Sequence, residues 1–239
     1  MMLELKNVHY TYPGNNQPIL SDLNFELTDK RIGIIGANGS GKTTLFHLLI
    51  GLLTPEEGEL LLHGQLVKTK DDLRALRKDV GFLFQSSDDQ LFSPTVIEDV
   101  AFGPLNLGYP PAEARKIAIK TLHALGLTGF EERITHRLSG GEKKLVALAT
   151  ILSMQPKILL LDEPTNNLDP KTRSRLIDIL KDLDQHQIII SHDWDFLSHT
   201  TTILYKIDHG HMHRCEEDHV HIHRHVHKAG DHPHHHHSS

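Results

Sequence analysis

Four short apolar runs recur along the chain, with longer segments of helical periodicity between them. They are "RIGIIG" (31–36), "VGFLFQ" (80–85), "KILLLDEP" (157–164) and "QIIISHD" (187–193). Because their apolar residues are continuous rather than alternating, both faces of each strand are expected to be buried. The pattern predicts an α/β fold in which helices cover a parallel sheet.

Apolar residues at helical spacing predict helices over three of the intervening segments. These are "KTTLFHLLIGL" (42–52), "AEARKIAIKTLHALG" (112–126), which follows a Pro-Pro start, and "GEKKLVALATILS" (141–153). Near the N-terminus, "LELKNVHYTY" (3–12) alternates instead, which is typical of a strand with one exposed face. A smaller antiparallel sheet is therefore expected beside the parallel one.

Composition narrows the class of protein. The 239 residues are 38% hydrophobic and 23% charged, as in soluble globular proteins, and the net charge of −6 argues against a nucleic-acid partner. No apolar run reaches the roughly 18 residues that span a bilayer, and the N-terminus lacks a signal-peptide layout. The single cysteine, Cys215, cannot form an internal disulfide. Together these features predict a cytosolic chain.

A glycine-rich loop joins the first buried strand to the first helix. It consists of Gly36, Ala37, Asn38, Gly39, Ser40, Gly41, Lys42 and Thr43, and Thr44 completes the predicted nucleotide-binding set. Glycines let successive amides turn toward a phosphate, and the helix N-terminus attracts anions. Lys42 adds a positive charge, while the Thr43 hydroxyl can ligate magnesium. The loop predicts a nucleoside triphosphate site.

Two adjacent carboxylates end the third buried strand. Neighbouring residues of a strand point in different directions, so Asp162 and Glu163 are expected to take different roles. We assign Asp162 to magnesium and Glu163 to the water that attacks the terminal phosphate.

A second glycine-containing motif narrows the family. "RLSGGEKK" (137–144) contains Ser139, Gly140, Gly141 and Glu142 at the predicted start of a helix, where a hydroxyl and bare amides can face an anion. With these residues the chain resembles the ATP-binding-cassette (ABC) family, whose signature reads Leu-Ser-Gly-Gly-Gln. The resemblance implies that the signature contacts the terminal phosphate of an ATP molecule held by a partner subunit.

The resemblance also implies roles for residues in the other motifs. Gln85 matches the glutamine that senses magnesium and the attacking water, and His192 matches the histidine at the terminal phosphate. Lys42 is the phosphate-loop lysine, counted with Gln85, Glu163 and His192 as catalytic. Tyr12 matches the aromatic residue that stacks on adenine, and Tyr10, two residues earlier, is the alternative.

The family architecture covers residues 2–208. It implies a RecA-like phosphate-loop core with a parallel sheet, a small antiparallel β subdomain and a helical subdomain over about 86–144. We therefore divide the chain into an ABC ATPase domain, residues 1–208, and a histidine-rich tail, residues 209–239, that is expected to be disordered.

The segment "FQSSDDQLFSPTVIEDVAFGPLNLG" (84–108) resembles the ATPases of energy-coupling-factor importers, which take up vitamins and nickel or cobalt ions. This implies a homodimer or heterodimer at the cytoplasmic face of the membrane, bound to a transmembrane coupling subunit and a substrate-binding membrane subunit. The stretches "DDQLF" (88–92) and "GPLNLG" (103–108) are candidates for docking that membrane subunit or for the helical subdomain, and Leu91 and Phe92 are the alternative candidates for the core of that subdomain.

The chain departs from the family pattern at several positions. Glu142 stands where most cassettes have Gln, and Lys143 and Lys144 are expected to offset its charge; Leu145 replaces a commonly basic residue. Asn166 and Asn167 resemble the soluble translation-factor branch, which gives a second hypothesis of a ribosome-acting ATPase. A single cassette, an acidic balance and no basic linker argue against it.

Thirteen of the 21 histidines follow residue 208. Those at alternate positions, His219, His221, His223, His225 and His227, are candidate ligands for Ni²⁺, Co²⁺ or Zn²⁺. A purification tag would account for residues 234–237 but not for the interleaved histidines. The tail favours a divalent metal ion as cargo, and a metal-storage or chaperone protein is the third hypothesis.

Overall fold

The computed structural model describes residues 2–215, which form ten strands, seven α-helices and two short 3-10 helices. The strands are β1 (Leu3–Tyr10), β2 (Leu20–Glu26), β3 (Arg31–Ile35), β4 (Glu57–Leu62), β5 (Gln65–Leu66), β6 (Val80–Leu83), β7 (Ile158–Asp162), β8 (His186–Ile190), β9 (Ile203–Asp208) and β10 (His211–Arg214). The helices are α1 (Lys42–Leu49), α2 (Lys70–Asp79), α3 (Val96–Asn106), α4 (Pro111–Ala124), α5 (Gly140–Leu152), α6 (Pro170–Asp182) and α7 (Trp194–Thr200). Across this part of the chain, no helix has the length and hydropathy needed to cross a bilayer.

Local sequence explains where several helices begin. At α2 the Thr69 side chain accepts a hydrogen bond from the Asp72 amide, and the Asp72 carboxylate accepts one from the Thr69 amide. Such a capping box satisfies amides that lack a partner within the first helical turn. Helix α6 begins with Asp169 as its cap and Pro170 at its first position. The sequence analysis did not predict either helix, although both start signals are present.

The main sheet has the order β10-β9-β3-β8-β7-β6. Strands β9, β3, β8, β7 and β6 run parallel, and β10 runs antiparallel to β9. All five residues of β7 are buried, as expected for a strand covered on both faces. The predicted α/β class and parallel core are confirmed. Because β3, β8, β7 and β6 are neighbours, the loops that follow them meet along one edge of the sheet.

The antiparallel sheet has the order β2-β1-β4-β5 and packs beside the phosphate-loop helix. Phe25 of β2, Ile34 of β3 and Phe46 of α1 belong to one hydrophobic core with the inward residues of β1 and β4. The prediction of a small antiparallel β subdomain is confirmed. Its packing fixes the position of α1 and therefore of the loop that precedes it.

A helical subdomain lies between β6 and β7 in the chain. Helices α3 and α4 pack against α5, which also contacts β6, so α5 joins this subdomain to the main sheet. The predicted limit at residue 144 therefore falls inside a helix. Leu91 is buried in this core, whereas Phe92 is 66% exposed. The two residues that the sequence could not separate thus face different environments.

The folded part extends beyond the predicted boundary at residue 208. Strand β10 pairs with β9, and the Cys215 amide donates a hydrogen bond to the Leu204 carbonyl. His209 and Gly210 form the connecting turn with positive φ angles of 46° and 79°, as two-residue hairpin turns require. Residues 209–215 therefore belong to the sheet rather than to the tail.

Candidate active site

The candidate site lies at the carboxyl edge of the main sheet, where four motif segments follow neighbouring strands. The glycine-rich loop follows β3, Gln85 follows β6, Glu163 follows β7 and His192 follows β8. Ligands of open α/β sheets bind outside the carboxyl ends of the strands. The strand order thus brings together groups that are far apart in the sequence.

Backbone geometry explains why glycines occupy the loop. A Cβ atom on Gly36 would lie 2.6 Å from the Ile207 carbonyl oxygen and 2.7 Å from Ser40 Oγ. Gly41 has a φ of 101°, a left-handed conformation that side chains oppose, and precedes the first residue of α1. These two positions let the loop pass close to β9 and turn into the helix.

The loop contains polar groups suited to an anion. Lys42 Nζ donates hydrogen bonds to the Gly36 and Ala37 carbonyl oxygens at 2.8 and 2.9 Å, and burial lowers its pKa against the opposing effect of Glu163. Ser40 Oγ is buried and has no hydrogen-bond partner among residues 2–215. A cation, an orphaned hydroxyl and a helix N-terminus together fit the phosphates of a nucleotide.

Oxygen ligands for magnesium meet beside the loop. Thr43 Oγ1 donates a hydrogen bond of 3.0 Å to Asp162 Oδ2, 119 residues later in the chain. Burial raises the pKa of Asp162, and the Thr43 hydrogen bond opposes that shift. The side chain of Gln85 is exposed and lines the same cleft. Hydroxyl, carboxylate and amide oxygens fit a magnesium ion.

Glu163 is held in a strained position next to His192. Its φ of 45° is unusual for a residue with a side chain, and the side chain is nearly buried. The His192 amide donates to Oε2 at 3.3 Å, and His192 Nε2 lies 3.4 Å from Oε1 without hydrogen-bond geometry. Burial raises the pKa of Glu163, and the His192 contacts oppose the shift. Such a carboxylate can act as a general base toward water.

The two tyrosines considered for adenine stacking differ in exposure. Tyr10 is 7% exposed and belongs to the core, while Tyr12 is 37% exposed on the rim of the cleft. The hydroxyl groups of Tyr12 and Thr44 are 3.0 Å apart. Tyr12 is therefore the ring that can face a ligand.

One cleft of about 380 Å³ collects most of these groups. It is lined by Tyr12, Ile19, Asn38, Gly39, Gly41, Lys42, Thr43, Thr44, Gln85, Asp162, Glu163, Asn166, Ile190 and His192. The sequence analysis did not assign Ile19, Asn166 or Ile190 to the site. Asn166 could have been assigned to the site from the sequence, because it follows Glu163 by only three residues and lies in the same turn.

The signature residues lie apart from this cleft. Ser139 caps α5, with a hydrogen bond of 3.3 Å from the Glu142 amide, and the Ser139 amide donates to Glu142 Oε2 at 2.8 Å. Within residues 2–215, none of the residues lining the cleft comes from 139–142. The signature therefore does not contribute to the cleft of its own chain.

The charge of Glu142 is balanced by a residue that the sequence analysis missed. Arg133 Nη1 donates to Glu142 Oε1 at 2.9 Å, and the pKa of Glu142 is lowered first by the Ser139 amide and further by Arg133. Lys143 instead pairs with Asp88 at 2.5 Å. The expectation that the two lysines offset Glu142 was wrong, because their side chains leave the helix toward other partners.

Lys144 is buried beneath the segment that carries Gln85. Its Nζ donates to the carbonyl oxygens of Phe84 and Gln85 at 3.2 and 2.7 Å. Burial lowers the pKa of Lys144 to about 8, and Asp162 opposes the shift. The group therefore remains mostly protonated at neutral pH.

A charge network supports the loop that contains His192. Arg173 of α6 donates to both carboxylate oxygens of Asp193 at 2.8 and 3.0 Å and to Asp195 at 2.7 Å. Asp193 also accepts a hydrogen bond from the Phe196 amide and caps α7. Burial opposes these contacts, but they lower the pKa of Asp193 overall. Arg173 was not predicted from the sequence.

The histidines predicted to bind a transition metal, 219, 221, 223, 225 and 227, lie outside the described residues. Among residues 2–215 there is no group of three or more metal-ligating side chains placed to hold an ion. His211 and His213 are neighbours on β10, with ring centroids 6.5 Å apart. They do not form a complete site by themselves.

The chain is similar in sequence to known proteins over most of its length. The sequence model of the ABC transporter family matches residues 20–166. A relative from Nitratidesulfovibrio vulgaris is 57% identical over 210 residues, which cover 87% of this chain and 77% of that protein. The energy-coupling factor transporter ATP-binding protein EcfA of Methanothermobacter thermautotrophicus is 44% identical over 88% of this chain and 69% of its own length.

Two solved structures are similar throughout the described fold. One is cbiO1 of Clostridium perfringens, part of the ABC transporter complex cbiONQ, with a TM-score of 0.78 and 34% identity over 88% of this chain and 86% of that one. The other is the dimeric structure of MJ0796, a bacterial ABC transporter cassette, with a TM-score of 0.79 and 30% identity over 89% and 97%.

Proposed function

This chain belongs to the ABC transporter family and is an ATPase, and we propose that it is the motor subunit of an energy-coupling-factor importer. The observation that carries the proposal is the meeting of the phosphate loop, Asp162, Glu163 and His192 in one cleft, to which the signature residues do not contribute. The similarity to EcfA and cbiO1 supports the importer class.

Within the cleft, each side chain has a proposed task in ATP hydrolysis. Lys42 and the loop amides bind the phosphates, and Thr43, Asp162 and Gln85 hold magnesium. Bound magnesium would neutralise charge on the phosphate oxygens. Glu163 orients the attacking water and accepts its proton, while His192 holds Glu163 and faces the terminal phosphate.

The separation of signature and cleft supports a dimer. Ser139 and its neighbours do not line the cleft of their own chain, so we propose that they complete the cleft of a second cassette. Either a second copy of this chain or a related ATPase satisfies this requirement. The dimeric structure of the similar cassette MJ0796 supports a pair of cassettes.

An exposed apolar surface on the helical subdomain supports a membrane partner. Phe92 and Phe102 are 66% and 45% exposed, and their rings pack edge to face at 4.8 Å. Pro94, Ile97 and Leu105 line the adjoining groove with Phe102. Apolar grooves of this kind accept amphipathic helices. We assign the groove to a cytoplasmic helix of the transmembrane subunit, which places the ATPase at the cytoplasmic face of the membrane.

Purification of the chain from native membranes tests the proposed assembly. We expect a transmembrane coupling subunit and a substrate-binding membrane subunit to co-purify, and Phe92→Asp to release both without lowering ATP binding. The exposed Leu52→Asp, which lies outside the groove, is the control. Ribosomes in place of membrane subunits would support the translation-factor hypothesis, and neither partner would favour metal storage.

A divalent metal ion is the proposed cargo, because thirteen histidines follow residue 208. Neutral imidazoles bind Ni²⁺, Co²⁺ and Zn²⁺, and binding should fade below about pH 6. The test is to end the chain after Cys215, which preserves β10, and to titrate each ion into both forms. Equal stoichiometry in the two forms would refute a role for the tail. If none of the ions changes the ATPase rate, the proposed link between the histidine-rich tail and transport would fail.

A further inference from the structure

Lys144 occupies an unusual position for a lysine. It is 3% exposed, and its ammonium group donates to two main-chain carbonyl oxygens, those of Phe84 and Gln85. An apolar side chain at the same helix position would avoid the cost of removing a charge from water. Packing alone therefore does not explain a lysine here, whereas its two hydrogen bonds to the segment after β6 do.

A second side chain ties the same segment to the same helix. Gln90 Oε1 accepts a hydrogen bond from the Phe84 amide at 3.2 Å. Its Nε2 donates to the Ala147 carbonyl oxygen at 2.8 Å and to Thr150 Oγ1 at 2.9 Å. Residues 84–85 are consequently bound to α5 at two places, one at Lys144 and one through Gln90 at Ala147, about one helical turn apart.

The held segment and the helix serve different nucleotides in the proposed dimer. The side chain of Gln85 lines the cleft of its own chain, while Ser139 caps α5 and, in the proposed dimer, would face the nucleotide of the partner. Lys144 lies five residues after Ser139, about 7.5 Å along the axis of a rigid helix. A shift of α5 on signature engagement would therefore move the backbone of Gln85.

We infer that Lys144 is a positioning residue that couples the two ATP sites of the dimer by fixing the Gln85 backbone to the signature helix. The inference rests on the proposed dimer. It predicts that losing the ammonium group impairs the catalytic step and leaves nucleotide binding by the phosphate loop intact.

The first test compares Lys144→Met with Lys143→Met in the full-length chain. We expect Lys144→Met to lower kcat at least about tenfold while KM for ATP changes less than about twofold, since only a transition-state contribution is lost. Lys143→Met, which breaks a surface pair with Asp88, should keep the wild-type kcat. Lys144→Arg retains donors for both carbonyls and should recover part of the lost rate.

A double-mutant cycle with Gln85→Ala tests whether Lys144 affects kcat through Gln85. If Lys144 acts through Gln85, adding Lys144→Met to Gln85→Ala should lower kcat less than twofold further. Equal kcat for the two lysine variants, or fully multiplicative losses in the cycle, would overturn the inference. If Lys144→Met does not fold, Lys144→Gln is judged by the same criteria. Wild-type turnover and dimerisation, measured alongside, report separately on the proposed function.

Discussion

Replacing Glu163 with glutamine is the most direct perturbation of the proposed chemistry. The amide has nearly the same shape, and its oxygen can still accept the hydrogen bond from the His192 amide, which is 3.3 Å from Oε2. Within the described part of the chain, Oε1 has no hydrogen-bond partner to lose. The change therefore removes the proton-accepting ability of the group and leaves its position intact.

The size of the effect follows from the role assigned to this carboxylate. A positioned general base contributes about 10²–10⁴-fold to a rate, which corresponds to about 3–5 kcal/mol of transition-state stabilisation. Glu163 is nearly buried and its pKa is raised, so removing the charge also relieves a desolvation cost. We therefore expect a change of at most about 1 kcal/mol in folding stability, or a few degrees in Tm.

The assay measures steady-state hydrolysis at saturating ATP, ATP affinity, and dimer formation by size-exclusion chromatography. We expect kcat to fall at least about a hundredfold, affinity to persist, and a stable ATP-bound dimer to accumulate. Glu113→Gln, an exposed substitution of the same kind on α4, is the matched control. Near-normal turnover of Glu163→Gln would refute the assignment, and His192→Ala would then be the next variant to measure.

Three further outcomes are expected. Ser139→Arg should abolish turnover without weakening ATP binding to the monomer, and mixing it with Lys42→Ala should give more activity than either alone, because the mixed dimer keeps one intact site. Glu142→Gln retains the capping box and should change Tm by less than about 3 °C and kcat by less than about threefold. Arg173→Met should cost about 1–3 kcal/mol of stability in urea titration at pH 7. The pKa of Asp193 is lowered in the fold, so its contribution to stability is complete above the ordinary pKa of about 3.9 and is lost as pH falls through the folded pKa. The stability difference between the wild type and Arg173→Met should therefore shrink below pH 4. A larger difference below pH 4 would contradict the pairing of Arg173 with Asp193.

Fold class followed from the sequence because it depends on local patterns. The continuous apolar run of β7 can be buried only between two layers. The spacing of glycines, lysine and threonine in the loop before α1 indicates a nucleoside triphosphate site. Neither conclusion requires knowledge of which strands are neighbours. The hairpin of β9 and β10 was missed because two of the three exposed positions of β10 are histidines, which suggested a metal-binding tail.

Partners of individual side chains were decided only by the tertiary structure. The order β3-β8-β7-β6 brings Asp162 within 3.0 Å of Thr43, and no periodicity in the sequence encodes that order. The sequence likewise did not determine which charges form ion pairs. Arg133 neutralises Glu142, whereas Lys143 and Lys144 contact other elements. Neighbouring residues of a helix point in different directions, so a side chain pairs with what the packing of the other elements places in front of it.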